Sequence, residues 1–235
     1  MSRITSLTRA GIATVAVSVV LAGCSSATKT EEKKETSTTT TSSSATTTTT
    51  KKATAEPTTP TPTGTHRMIH DYIKENNIQE TVIKHGDPGA SVDLPVPDGW
   101  EVKSDLPEAP YGAIVYTKTA VPDNPPRILA IFEKLTGNVD PAQILALAPG
   151  ELQNIPGFDG PAEGSKDQLG GYDAVQLGGH YDVDGKQGMI AQKTVVIPGQ
   201  DGLYVLQLNA YSDESEADVL MSATDIVDQQ TTITP

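Results

Sequence analysis

From residue 36 to residue 50 every residue except Ala45 is Ser or Thr. That tract limits what the chain can fold into. The residues after it, up to Thr65, add Pro57, Pro60 and Pro62 with scattered Lys and Glu, and no aromatic residue precedes Tyr72. Such a segment cannot bury enough apolar surface to offset the entropy of ordering it, so the sequence predicts a disordered Ser/Thr/Pro-rich tether over 24–65. As a flexible coil of about 40 residues it has an end-to-end distance on the order of 35 Å. Ser/Thr tracts next to Pro also suit O-glycosylation, which would stiffen and lengthen the tether; a bare linker fits the composition equally well. A packed core is thereby confined to a single domain over 66–235, which is long enough to build one.

The residues before the tether read as an export signal. Arg3 and Arg9 supply positive charge, and residues 10–23 are all apolar or small. That run of fourteen is too short for a membrane span, which needs about 20 residues, and suits the core of a signal peptide over 1–23. It ends in Leu21-Ala22-Gly23-Cys24, and Cys24 is the only cysteine in the chain. This motif resembles the bacterial lipobox, in which the thiol takes a diacylglycerol, cleavage occurs before the Cys, and the new amino group is acylated, for example by palmitate. Cys24 is therefore the candidate lipidation site. Two or more acyl chains anchor a protein firmly where one would not. The alternative is an ordinary secretory signal followed by an incidental thiol. With Cys24 consumed, no thiol remains for a disulfide, a nucleophile or a zinc cluster. No twin-arginine pair is present, so Sec-type export is the simpler route.

From His66 onward the chain carries 10 Lys and Arg against 26 Asp and Glu, a net charge of −16. A surface that acidic repels phosphate backbones and anionic headgroups, which argues against nucleic-acid binding and against charge-driven membrane adhesion. High net charge serves solubility first and a binding patch second.

The pattern of elements predicts an α+β fold: an antiparallel β-sheet flanked by α-helices. In "HRMIHDYIKENN", Ile69, Tyr72 and Ile73 share a helical face, with Thr65 as candidate N-cap. "SVDLPVP" alternates like a strand before a turn at Pro97-Asp98-Gly99, and Trp100 follows as a core anchor. "GAIVYT" and "RILAIFEKL" are apolar at successive positions, as strands are when both sheet faces are covered. Asp140 before Pro141 predicts a helix start, with Ile144, Leu145 and Ala148 as its inner face and Pro149-Gly150 as its interruption. "YDAVQLGGHYDV", "GMIAQKTVVIP" and "GLYVLQLNA" predict a meander turning at Asp184-Gly185 and at residues 199–202. A last helix begins at a capping box of Asp213 and Glu216 and buries Ala217, Leu220, Met221 and Thr224.

Chemical motifs are few. His66 and His70 stand i, i+4 apart and could share a metal, but exposed polar residues at a helix start are the simpler reading. "YDVDGK" lacks the third oxygen ligand and the later Glu of a calcium loop, so a hairpin turn explains it. The two "LGG" sequences at 169–171 and 177–179 lack the Lys and helix start of a phosphate cradle; a turn and a strand bulge account for them. No G-x-S-x-G, H-E-x-x-H or P-loop occurs. Neither a metal, a cofactor nor catalytic residues are therefore expected.

Many ordered segments match one family together: "DYIKENNIQET", "HGDPG", "DLPVPDGW", "APYGAIVYT", "LTGNVDPAQILALAPGEL", "IPGFDG", "AQKTVVIP", "VLQLNA" and "QQTTITP". In these the chain closely resembles the mycobacterial lipoprotein LpqN/LpqT family, its LpqN branch most of all. The resemblance implies a PsbP-like sandwich fold and a cell-envelope role. It further implies binding of trehalose-linked mycolate glycolipids, association with an MmpL-type transporter and, for some members, contact with a host protein after shedding. The expected location is the extracytoplasmic face of the cell membrane, with a fraction released.

Two function classes follow. The first is a tethered, non-enzymatic carrier or adaptor for envelope glycolipids. Its lipid tail would lie in an apolar groove between the sheet and a movable helix carrying Ile69, Tyr72 and Ile73, with tyrosines at the mouth holding sugar. The second is a protein-interaction module that presents its acidic surface to an exporter or host protein and carries no lipid. An envelope hydrolase is a third class, without a motif to support it.

Overall fold

The computed structural model describes residues 64–104, 106–183 and 185–235. The expected signal peptide, the lipidation site Cys24 and nearly all of the expected tether lie outside them, as does Asp184 of the first meander turn. The described chain runs α1 (Ile69–Glu75), β1 (Gln79–Val82), β2 (Ser91–Asp93), β3 (Trp100–Lys103), β4 (Gly112–Tyr116), β5 (Arg127–Thr136), α2 (Pro141–Leu147) and α3 (Pro149–Gln153). It continues through β6 (Ser165–Leu169), β7 (Tyr172–Val183), β8 (Lys186–Pro198), β9 (Leu203–Asp213), a 3₁₀ turn (Glu214–Glu216), α4 (Ala217–Gln230) and β10 (Thr232–Thr234). This is the expected α+β class: an open antiparallel sheet with helices on both faces.

The main sheet has the order β3-β4-β5-β9-β8-β7-β6, and β1 joins it on the far half of β5. Strand β4 pairs with residues 127–130 of β5 and β1 with residues 133–136, so two short strands share one long edge. Side chains alternate between the faces. Phe132, Leu206 and Val195 pack with Leu220, Ala223 and Val227 of α4, whereas Leu135, Val205 and Val196 pack with α1 and α2 through Ile69, Tyr72, Ile73 and Ile144. Coverage on both sides is why β8 and β9 read as nearly unbroken apolar runs. Strands β1 and β6 escape that pattern. Their sequences, "QETV" and "SKDQL", are almost wholly exposed, and with one neighbour each and little burial they need no hydrophobic alternation.

The meander turns follow from their glycines. Leu169 pairs with Tyr172 across Gly170 and Gly171, both at positive φ (58° and 86°), as a two-residue hairpin loop requires. Val183 pairs with Lys186, and Asp182 Oδ1 accepts the Gly185 N–H at 2.9 Å. Pro198 pairs with Leu203 across a four-residue loop closed by Gly199 N–H to Gly202 O at 2.9 Å.

Several local expectations are corrected. The 177–179 glycines form no bulge, since β7 and β8 stay in register through Gly178↔Ala191 and Gly179↔Ile190. Gly179 instead admits a crossing loop: a Cβ there would stand 2.4 Å from Asp159 O, and Asp159 exchanges both backbone hydrogen bonds with His180. Helix α1 starts at Ile69 rather than after Thr65, and Asp71 Oδ2 accepts the Met68 N–H at 2.9 Å. The capping box at Asp213 is half formed. Asp213 Oδ1 accepts the Ser215 N–H at 3.0 Å, but Glu216 turns away to bond Thr119 Oγ1 at 2.5 Å and the Ala120 N–H at 2.9 Å, holding the β4–β5 connection. The buried stripe of α4 is Leu220, Ala223 and Val227, and Met221 is half exposed.

Candidate functional site

The site is built by the break between α2 and α3. Asp140 caps α2 by accepting the Ala142 N–H at 2.9 Å. Its own N–H donates to Tyr72 Oη at 3.0 Å, fixing α2 against α1. Pro149 has no N–H to continue the helix, so α2 ends at Leu147 and α3 restarts at Pro149. The two helices lie across β7 and β8. Their outer side overhangs the edge of the sheet and leaves an open cleft of about 770 Å³ above β6 and β7, within the size range of small-molecule sites.

One wall of the cleft is apolar, made by Ala142, Leu145, Ala146 and Pro149 facing Val175 of β7. Its rim is polar, with Gln153, Glu163, Lys166 and Asp173 on one side and His66 and Arg67 on the other. Small side chains keep it open. A Cβ at Gly164 would stand 2.5 Å from Val175 Cγ2. Rim charges are partly neutralised within the protein: Arg67 pairs with Glu75, and Asp167 pairs at 2.7 Å with Lys193, which also reaches Asp228 at 2.5 Å. The Lys193 ammonium holds the Asp167 carboxyl below its usual range.

Beneath α3 a polar band crosses the otherwise apolar face of the sheet. Glu151 Oε2 accepts from Gln192 Nε2 at 2.9 Å and Gln207 Nε2 at 3.2 Å, and Gln192 also donates to Asn209 Oδ1 at 3.0 Å. Burial pushes the Glu151 carboxyl up, although the two amides oppose that shift. Glu133, on the same face of β5, is pushed up to about 7, first by burial and then by the charges of Glu80 and Glu151. Through Glu151 the two amides hold α3 to the sheet.

The expected groove beneath α1 is filled. Ile69, Tyr72 and Ile73 are all buried in the α1–α2 core, and the Tyr72 hydroxyl is engaged by Asp140. The cleft lies instead one helix further along, and no tyrosine lines it. Of the two candidate histidines, His66 stands on the cleft rim and His70 lies exposed on α1. No group of three His, Cys, Asp or Glu able to hold a metal occurs among the described residues. Sequence reasoning missed the cleft because its walls are alanines, glycines and a proline. Their signal was the spacing of small residues through "PAQILALAPG".

The family model described as "Probable lipoprotein LpqN" matches residues 65–234. Lipoprotein LpqN of Mycobacterium tuberculosis is 54% identical over 227 residues, covering 96% of this chain and 98% of that protein. The crystal structure of LpqN, described as involved in cell envelope biogenesis of that organism, superposes with a TM-score of 0.72 at 54% identity, over 73% of this chain and 100% of that one. The solution structure of cyanobacterial PsbP from Synechocystis is similar at a TM-score of 0.43 and 10% identity, over 67% of this chain and 92% of that one.

Proposed function

Because the chain belongs to the LpqN lipoprotein family, an envelope-associated family held at the extracytoplasmic face of the cell membrane by lipid, we propose that it is a non-enzymatic carrier or adaptor for envelope glycolipids. The cleft between α2–α3 and β6–β7 is its ligand site, and Cys24 carries the anchor. One observation carries this reading: the cleft joins an apolar wall of Ala142, Leu145, Ala146 and Pro149 to a rim of amide, carboxylate and ammonium groups. An alkyl chain gains about 25 cal/mol per Å² of apolar surface that it buries there. A polyhydroxylated head, such as trehalose, offers both donors and acceptors to match the rim. The cleft is open, so a chain as long as a mycolate would be held along part of its length with the remainder in a membrane or a partner protein. An MmpL-type transporter is a partner of the right kind for such a handover.

The test is titration of the Cys24→Ser chain with dodecyl-trehalose and with trehalose monomycolate, against dodecyl chains on a zwitterionic head as control. Saturable binding of the trehalose compounds above the control supports the carrier. Binding no stronger than the control would sink it. The second reading, an interaction module without lipid, rests on the net charge of −16 in residues 66–235, which suits a basic face of an exporter or a shed-form host partner. It predicts a reproducible crosslinked partner in intact cells that persists when the cleft is filled by substitution.

A further inference from the structure

One wall of the cleft is not part of the sheet or of its covering helices. Residues 64–67 cross the outside of α3 as an arm before α1 begins, and His66 and Arg67 of this arm line the cleft. All four of these residues are exposed. Arg67 pairs with Glu75 on α1, and Asn154 holds the rest of the segment. Asn154, 2% exposed, accepts the His66 N–H on Oδ1 at 2.8 Å and donates from Nδ2 to His66 O at 2.7 Å. Its backbone carbonyl takes the Gly64 N–H at 3.2 Å. The amide side chain thus imitates a neighbouring strand. Two glycines permit the approach: a Cβ on Gly150 would stand 2.3 Å from Arg67 O, and a Cβ on Gly64 would stand 2.3 Å from Asn154 Oδ1.

We propose that this arm is a removable wall of the cleft, seated by Asn154, and that its release widens the path to the apolar wall. The regulation it describes rests on the cleft being the ligand site. The physical case is an imbalance. The arm is exposed and is kept in place by three hydrogen bonds, two from the Asn154 amide and one to its carbonyl, each contributing on the order of 1 kcal/mol net, and by the exposed Arg67–Glu75 pair, whereas the apolar wall is carried by a helix packed on the sheet through Ile144 and Ala148. Local opening is drawn from the least buried elements of a fold, and here that element is also the one through which the domain continues into the preceding chain. A pull or a steric change arriving from residue 63 acts on the arm before it acts on anything else in the domain. Occupancy of the cleft and the state of the chain leading to the membrane are coupled through the His66–Asn154 pair.

The experiment uses the full chain with Cys24→Ser and Val175→Cys, so that the single thiol lies on the cleft floor, and follows its labelling by a bulky maleimide together with hydrogen exchange of the His66 amide. Asn154→Ala, which removes the side-chain bonds, and Gly64→Ala, which crowds Asn154 from the arm side without touching the core, are compared with the parent. The expected result is protection of His66 in the parent, about tenfold loss of that protection in both variants, and a parallel rise of about tenfold in Val175→Cys labelling. A Met221→Cys control on α4 should label at one rate throughout. The proposal is overturned if His66 is unprotected in the parent, if neither variant loosens it, or if it loosens without faster labelling of Val175→Cys. A rise for Asn154→Ala alone also overturns it, because α3 and not the arm would then have moved. No glycolipid enters the assay, so its outcome is separate from the titration that tests the carrier.

Discussion

The Tyr111 hydroxyl accepts the Val92 N–H and donates to the Val92 carbonyl, both at 2.8 Å. A side chain on the rim of the main sheet therefore acts as a third strand for the small sheet in which β10 pairs with β2. The ring is fixed in turn, edge-on to Phe132 with centroids 5.3 Å apart. Tyr111→Phe keeps the ring and removes both bonds, leaving a buried N–H and a buried carbonyl without partners. Each unsatisfied group costs about 1–3 kcal/mol, so urea unfolding should show a loss of roughly 2–6 kcal/mol. Amide exchange should rise first at residues 91–93 and 232–234. A variant as stable as the parent would mean that water replaces the hydroxyl.

Glu133 makes stability depend on pH. Its carboxyl titrates at about 7 in the folded chain against 4.5 when unperturbed, chiefly because burial penalises the charge. A raised acid pKa means that the native state holds the proton more tightly. The group is therefore neutral in both states' favour below about pH 4.5, and its ionisation erodes stability as the pH rises from there to about 7. Allowing for partial solvent access, the loss is roughly 1–2 kcal/mol. Glu133→Gln should flatten the pH dependence between 5 and 7.5 and be the more stable protein at pH 8. Denaturant midpoints at four pH values would check this, and an unchanged slope would assign the dependence to other carboxylates.

Much of this fold is legible in the sequence, and the illegible parts have physical reasons. Helix starts at Asp140-Pro141, the meander glycines and the doubly covered strands each carry a local signal, because a cap, a positive φ or burial on both faces restricts which residues can stand there. Strands β1, β6 and β10 carry none, since an edge strand with exposed side chains is held by backbone bonds that any sequence can make. The cap at Glu216 misled because its spacing to Asp213 is right while its partner, Thr119, lies 97 residues away. The groove expected beneath α1 is filled, and the open cleft lies one helix further along. Ile69, Tyr72 and Ile73 advertise an apolar face but use it as core, while the cleft is marked by what is absent from its walls, side-chain volume at Ala142, Ala146 and Gly164.

Lys193 joins three elements. It is almost wholly buried, with Asp167 of β6 at 2.7 Å and Asp228 of α4 at 2.5 Å. Removing the cation leaves two carboxylates facing one another between β6 and α4. Lys193→Met should cost roughly 1–3 kcal/mol, less than a fully buried pair because both carboxylates are partly exposed. Adding Asp167→Asn and Asp228→Asn should restore most of that loss. Asp167 has its pKa lowered by the same contact, so the stability that it lends is present above about pH 4 and is lost as the pH falls through its folded value. A triple variant no more stable than Lys193→Met alone would show that packing of the lysine stem, and not the charges, holds β6 to α4.

Filling the cleft tests the site more directly than removing any group from it. Ala146 is exposed on the cleft face of α2 and carries no hydrogen bond through its side chain. Ala146→Trp places a large ring in the space facing Val175 while leaving the Asp140 cap and the buried Ile144 untouched. Thermal unfolding should shift little, since surface changes away from caps and core stay within about 0.5 kcal/mol. Binding of dodecyl-trehalose should weaken about tenfold or more, because the ring occupies the volume in which the alkyl chain buries its surface. A Leu145→Ala variant, which widens the same wall, should weaken binding by a smaller factor through lost contact. Unchanged affinity in both would move the ligand away from this cleft and leave the acidic outer surface as the place to look.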